Sequence, residues 1–91
     1  MSGGVQYSVS YEATARKELG KLDRQVARRV ARAITALGAN PRPAACRRLV
    51  GYDELWRIRV GAHRVIYTIK DTELIVLALR IAHRSEVYRQ I

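Results

Sequence analysis

The segment LWRIRVGAHRVIY, residues 55–67, spaces three arginines so that their charges can meet. If Gly61-Ala62 forms a two-residue hairpin turn with glycine first, Val60 faces His63, Arg59 faces Arg64, Ile58 faces Val65 and Arg57 faces Ile66. Alternation then gathers Trp56, Ile58, Val60, His63, Val65, Tyr67 and Ile69 on one side, which reads as core. Arg57, Arg59 and Arg64 fall together on the other side. Like charges directly across a sheet destabilise it, and this face has no carboxylate among its near neighbours on the hairpin. A phosphate would, because guanidinium stays charged and its planar fork can hold two phosphate oxygens at once. The alternative is an ordinary solvated face screened by salt.

The segment ELIVLALRIAHRSEVYRQI, residues 73–91, extends the pattern. Its nearly continuous apolar run from Leu74 to Leu79 suits a central strand covered on both faces. Parity puts Arg80 and Arg84 on one side and Ile75, Leu77, Leu79, Ile81 and His83 on the other. Ser85 can cap a short final helical turn carrying Glu86 and Tyr88.

Charge is the strongest global feature: 17 Lys and Arg against 8 Asp and Glu give a formal net charge of +9, the balance expected of a polyanion-binding protein. Arg47, Arg48 and Arg80 are further candidates for contacting RNA. Ninety-one residues, 48% of them hydrophobic, fit one domain spanning 1–91. A single cysteine, Cys46, excludes an internal disulfide, and with two histidines it cannot complete a usual four-ligand zinc site. No cofactor or structural metal is expected. The absence of a membrane-length apolar run or a secretory leader predicts a cytoplasmic protein.

The elements that must position the arginines are legible in outline. VQYSVSY, residues 5–11, alternates as a half-buried strand. Tyr11, Ala15, Leu19 and Leu22 recur at helical spacing, predicting a short helix that ends near Leu19, and Asp23 offers a fresh N-cap. From there Val26, Val30, Ile34 and Leu37 form one stripe of a second helix, with Arg24, Arg28, Arg29 and Arg32 off the stripe and Gly38 at C′. The arginines read as a solvated outer face or an auxiliary phosphate-contacting surface. GANPRPA, residues 38–44, is a loop, and Cys46 to Val50 a candidate edge strand. The predicted fold class is α+β: two N-terminal helices on a small, mostly antiparallel sheet of four to five strands.

LWRIRVGAHRVIYTI followed by LRIAHRSEVYRQ resembles the RelE branch of the RelE/ParE toxin superfamily, and the resemblance spans almost the whole chain. It implies a bacterial toxin, paired with an antitoxin, that occupies the ribosomal A site and cleaves mRNA. The implied partners are therefore a cognate antitoxin, mRNA and the ribosome, with no membrane. By the same resemblance, Arg57 and Arg59 stand where the best-known members carry lysines, Arg64 matches the hairpin arginine and Tyr88 the C-terminal tyrosine. Extra residues in those members leave two alignments for a further catalytic arginine, Arg84 or, without a gap, Ala82; the need for charge favours Arg84.

Cleavage by the substrate's own 2′-hydroxyl requires removal of one proton, stabilisation of an anionic phosphorane and protonation of the leaving 5′-oxygen. Arg57, Arg59, Arg64 and Arg84 suit the second task but not proton transfer, because guanidinium does not readily release a proton. Tyr88 and His83 are the candidates there, with stacking on a base as Tyr88's alternative role and Glu86 in reserve. His63, Trp56 and Tyr67 read as structural. The competing functions are a ParE-like gyrase inhibitor without nuclease activity, a non-catalytic basic RNA-binding module, and an inactive toxin.

Overall fold

A computed structural model describes residues 4–52 and 54–84. The elements run β1 (Ser8–Tyr11), α1 (Ala13–Gly20), α2 (Arg24–Ala36), β2 (Arg47–Arg48), β3 (Leu55–Val60), β4 (His63–Lys70) and β5 (Ile75–His83). Two helices pack against a five-stranded mixed sheet of order β1-β5-β4-β3-β2, in which β1 runs parallel to β5 and every other pair is antiparallel. The predicted final helical turn at Ser85 to Tyr88 lies outside the described residues.

The local chemistry behind these elements follows the sequence closely. The Asp23 carboxylate accepts from the Gln25 backbone N–H at 3.2 Å, satisfying one of the free donors at the start of α2. Val30, Ile34 and Leu37 of the α2 stripe are buried, and Val26 packs at their margin. These residues meet Ile58, Val65, Tyr67, Val76, Ala78 and Ile81 of the sheet to form the core. Gly38 has a different reason from the expected left-handed helix end, since its φ is not positive. The chain leading into β1 passes directly over it, with Tyr7 N–H donating to the Gly38 carbonyl at 2.8 Å. A Cβ at Gly38 would stand 2.9 Å from the Tyr7 carbonyl oxygen.

At the far end of the sheet, Asp71 accepts from the Tyr7 hydroxyl at 2.7 Å and from both terminal nitrogens of Arg42 at 3.3 and 2.9 Å. The Arg42 bond, with help from Tyr7, holds the Asp71 carboxyl below the usual range. This cluster fastens the proline-rich loop to the β4–β5 turn. The buried Tyr67 hydroxyl donates to the Pro41 carbonyl at 2.7 Å and secures the loop from beneath.

Candidate functional site

The β3–β4 hairpin has the register expected from its turn: Val60 opposite His63, Arg59 opposite Arg64, Ile58 opposite Val65 and Arg57 opposite Ile66. Gly61 takes φ +60° while Ala62 does not enter the positive-φ region, as a glycine-first turn demands. Arg57, Arg59 and Arg64 consequently share the face turned away from the helices. β2 adds a fourth cation, because Arg47 pairs with Arg57 across the β2–β3 ladder. Arg47, Arg57 and Arg59, with Ala45, line an open groove of about 320 Å³ on this face.

The electrostatics of the face are one-sided. Among the described residues, the ion pairs are Arg42 with Asp71 and Arg80 with Glu18, and neither involves Arg57, Arg59 or Arg64. Arg47 donates to main-chain carbonyls, Ala44 at 3.0 Å and Cys46 at 2.8 Å, which fixes its fork while leaving its charge uncompensated. The Nε of Arg64 is buried with no hydrogen-bond partner. A buried donor without an acceptor costs about 1–3 kcal/mol, so this face holds both charge repulsion and an unmet hydrogen bond that an incoming anion would relieve.

β5 departs from simple parity. A bulge between the Ile66 and Tyr67 positions of the β4–β5 ladder leaves Leu79 without an opposite number. Val76 and Ala78 therefore share the helix-facing side with Ile81 and His83, whereas Ile75 and Leu77 turn to the other side along with Arg80 and Ala82. The expected grouping of Ile75, Leu77 and Leu79 with Ile81 is corrected accordingly.

That geometry sorts the candidate residues. His83 stands opposite His63, with ring centroids 5.3 Å apart and planes at 90°. Both imidazoles lie on the helix side, at the end of the sheet beside Glu18, Lys21 and Leu22. His83 keeps the side parity gave it, with Ile81, and so lies on the reverse face from Arg57, Arg59 and Arg64; its candidacy for proton transfer beside those arginines is corrected accordingly. Arg48 also leaves the group: it faces Trp56 across the ladder and lays its guanidinium 4.9 Å from the indole centroid. Arg84 continues the β5 ladder past its last strand residue, its N–H donating to the Ala62 carbonyl at 2.7 Å beside the hairpin turn. Tyr88 and Glu86 lie outside the described residues.

Arg80 has a structural engagement that the sequence concealed. Its Nε and Nη2 donate to Glu18 Oε2 at 3.1 and 3.0 Å, and the other carboxylate oxygen accepts the Ile81 backbone N–H at 2.7 Å. β1 stops pairing with β5 at Ala78, so the next stretch of β5 has lost its neighbour strand. Glu18, from α1, takes that neighbour's place. No pattern local to Glu18 announces this role, since its partners are more than sixty residues away.

Comparison with known proteins agrees with this architecture. Residues 9–88 match the family model described as ParE toxin of type II toxin-antitoxin system, parDE. Toxin RelG of Mycobacterium tuberculosis is 33% identical over 91 residues, covering 94% of this chain and all of that protein. The putative toxin RelE1 of Methanocaldococcus jannaschii is 27% identical, covering 93% of this chain and 98% of its own length. The toxin–antitoxin complex RelBE2 of M. tuberculosis superposes with a TM-score of 0.79 at 30% identity, covering 90% of this chain and 95% of the other. The fold and its sequence relatives define a toxin of a type II toxin–antitoxin system. The chain belongs to the RelE/ParE toxin superfamily.

Proposed function

We propose that this toxin is a ribosome-dependent mRNA endoribonuclease that cuts in the ribosomal A site without a metal and so stops translation. The observation that carries the proposal is the face bearing Arg47, Arg57, Arg59 and Arg64: cations from three strands, uncompensated by any described carboxylate, with a buried Arg64 Nε lacking an acceptor. A scissile phosphate seated there would meet donors already in place. Such preorganised charge lowers the energy of the phosphorane more than that of the starting diester.

In the proposed reaction the 2′-oxygen attacks phosphorus and the bond from phosphorus to the 5′-oxygen breaks. The 2′-hydroxyl proton goes to a base, and a second proton reaches the leaving 5′-oxygen. Arg57, Arg59 and Arg64 take the electrostatic role, with Arg84 joining from the end of β5. Tyr88 is assigned to proton transfer. His83, paired with His63 on the reverse face, serves in this proposal to shape the end of β5 rather than to exchange protons. Antitoxin control fits the family, whose solved relatives include RelB–RelE complexes of Pyrococcus horikoshii and Methanococcus jannaschii.

The test is to add the pure protein to translating ribosomes and map the new mRNA 5′ ends. Cuts phased with codons are expected from the native protein. Arg64→Ala should lower cutting by at least about a hundredfold, the scale of removing one preorganised transition-state donor, while leaving the fold unchanged. Full activity in a folded Arg64→Ala protein would overturn the assignment. The matching family model is described as that of ParE, so gyrase inhibition is the second reading. Loss of DNA supercoiling in a purified gyrase assay, with intact mRNA in the first experiment, would establish it instead.

A further inference from the structure

The fold sets the chain's two histidines side by side at the end of the sheet, next to the hairpin turn. His63 opens β4 and His83 closes β5, opposite each other in the antiparallel ladder. The Arg84 N–H donates to the Ala62 carbonyl at 2.7 Å, one residue after His83 and one before His63. That bond makes the histidines a non-hydrogen-bonded pair, the kind in which facing side chains stand closest, with Cα atoms about 4.5 Å apart. His83 is exposed and His63 half-buried. Both line an open pocket of about 240 Å³ with Glu18, Lys21 and Leu22.

The spacing of the rings suits a shared metal ion. A metal about 2.0–2.1 Å from one nitrogen of each imidazole, at a near-tetrahedral angle, puts the ring centroids about 5 Å apart. The observed separation is 5.3 Å. The planes stand at 90°, and rotation about histidine χ2, a broad torsion, aims one nitrogen of each ring at a common point. Backbone pairing holds both Cα atoms in place beforehand, so ligation has only side chains to order. Imidazole nitrogen suits zinc, copper and nickel, whereas magnesium and calcium take oxygen ligands. Among the described residues no third histidine, cysteine or carboxylate completes a closed set. Glu18 lines the same pocket, but its two carboxylate oxygens already accept from Arg80 and from the Ile81 N–H. Lys21 is exposed, and its stem is long enough to keep the ammonium in water. The remaining coordination positions belong to water, the open form of a metal site rather than the closed structural form.

We propose that His63 and His83 form an open two-histidine site for a borderline divalent cation, zinc in the first instance. The ion bridges the first residue of β4 to the last of β5, and Arg84 is the next residue of the chain. Occupancy therefore clamps the strand end from which Arg84 leaves. The site lies on the helix side of the sheet, away from Arg57, Arg59 and Arg64, so the ion takes no part in the chemistry proposed for them. The inference depends on neither the nuclease nor the gyrase reading.

The test is a titration of the whole protein, made without a histidine tag, with zinc chloride. A single ion per chain is expected to bind, shifting the imidazole resonances of both histidines and the Arg84 amide and raising Tm. Magnesium chloride at the same concentrations should do neither. His63→Gln and His83→Gln should each weaken zinc binding by at least about tenfold, the lower end of what disturbing a metal's supporting residues costs, while circular dichroism stays unchanged. Cys46→Ser should bind zinc as the native protein does. Should one histidine variant fail to fold, the other variant and the imidazole shifts of the native protein decide. Undiminished binding in either folded histidine variant, lost binding in Cys46→Ser, an equal response to magnesium, or zinc binding that leaves both imidazoles unshifted would each overturn the proposal, as would no response to zinc.

Discussion

Leu74 is the one non-glycine among the described residues with positive φ, at 57°. It closes the β4–β5 turn, where its own N–H donates to the Asp71 carbonyl at 3.4 Å and its carbonyl accepts the Ser8 N–H at 2.8 Å. A branched apolar side chain in the left-handed region carries strain of about 1–2 kcal/mol, and here the side chain is also 39% exposed. Leu74→Asn should therefore stabilise the protein by about 0.5–1 kcal/mol, because asparagine tolerates this region without glycine's added chain entropy. Urea unfolding would check it, through a raised midpoint at unchanged slope. The contrast with Gly38 is instructive: there the reason for glycine is not φ but the Tyr7 carbonyl, 2.9 Å from where a Cβ would sit.

Between elements, Glu18 does the work of a missing strand. Glu18→Ala would leave the Ile81 N–H without its acceptor and remove the Glu18–Arg80 ion pair, and should cost about 1–3 kcal/mol. Glu18→Gln, which keeps an amide oxygen for Ile81 but loses the charge, should cost less. The local readout is amide exchange at Ile81, fast in the alanine variant and intermediate in the glutamine one. The hairpin was legible because a two-residue turn fixes register and the alternation from Trp56 to Ile69 leaves one consistent core face. β5 was not, because its apolar residues do not alternate with polar ones and so give no mark of the bulge at Leu79. Parity carried across that bulge grouped Ile75 and Leu77 with Ile81, although they belong with Arg80. Arg48 and His83 were chosen for what their side chains can do: charge and chemistry identify a capacity, whereas strand register decides the face, and for His83 parity had already given the face opposite the arginines.

Across the whole molecule, cations occupy both faces: Arg47, Arg57 and Arg59 on the open side of the sheet, and Arg24, Arg28, Arg29 and Arg32 exposed on α2. Binding to single-stranded RNA should weaken steeply with salt, because each neutralised phosphate releases counterion. Replacing Arg57, Arg59 and Arg64 together by glutamine should reduce the slope of log K against log salt by about 2, at about 0.7 per phosphate contact. Titrations at several potassium chloride concentrations would measure this. An unchanged slope would move the RNA contacts from the sheet to α2.

The parallel pairing of β1 with β5 joins the first and last strands among the described residues. A polypeptide still emerging from a ribosome can close the β3–β4 hairpin, but β1 must wait unmatched until residues 75–78 are available. Long-range closure of that kind slows folding. The domain therefore cannot finish its sheet before the segment bearing β5 has been synthesised, and the arginine hairpin is complete before the fold that supports it.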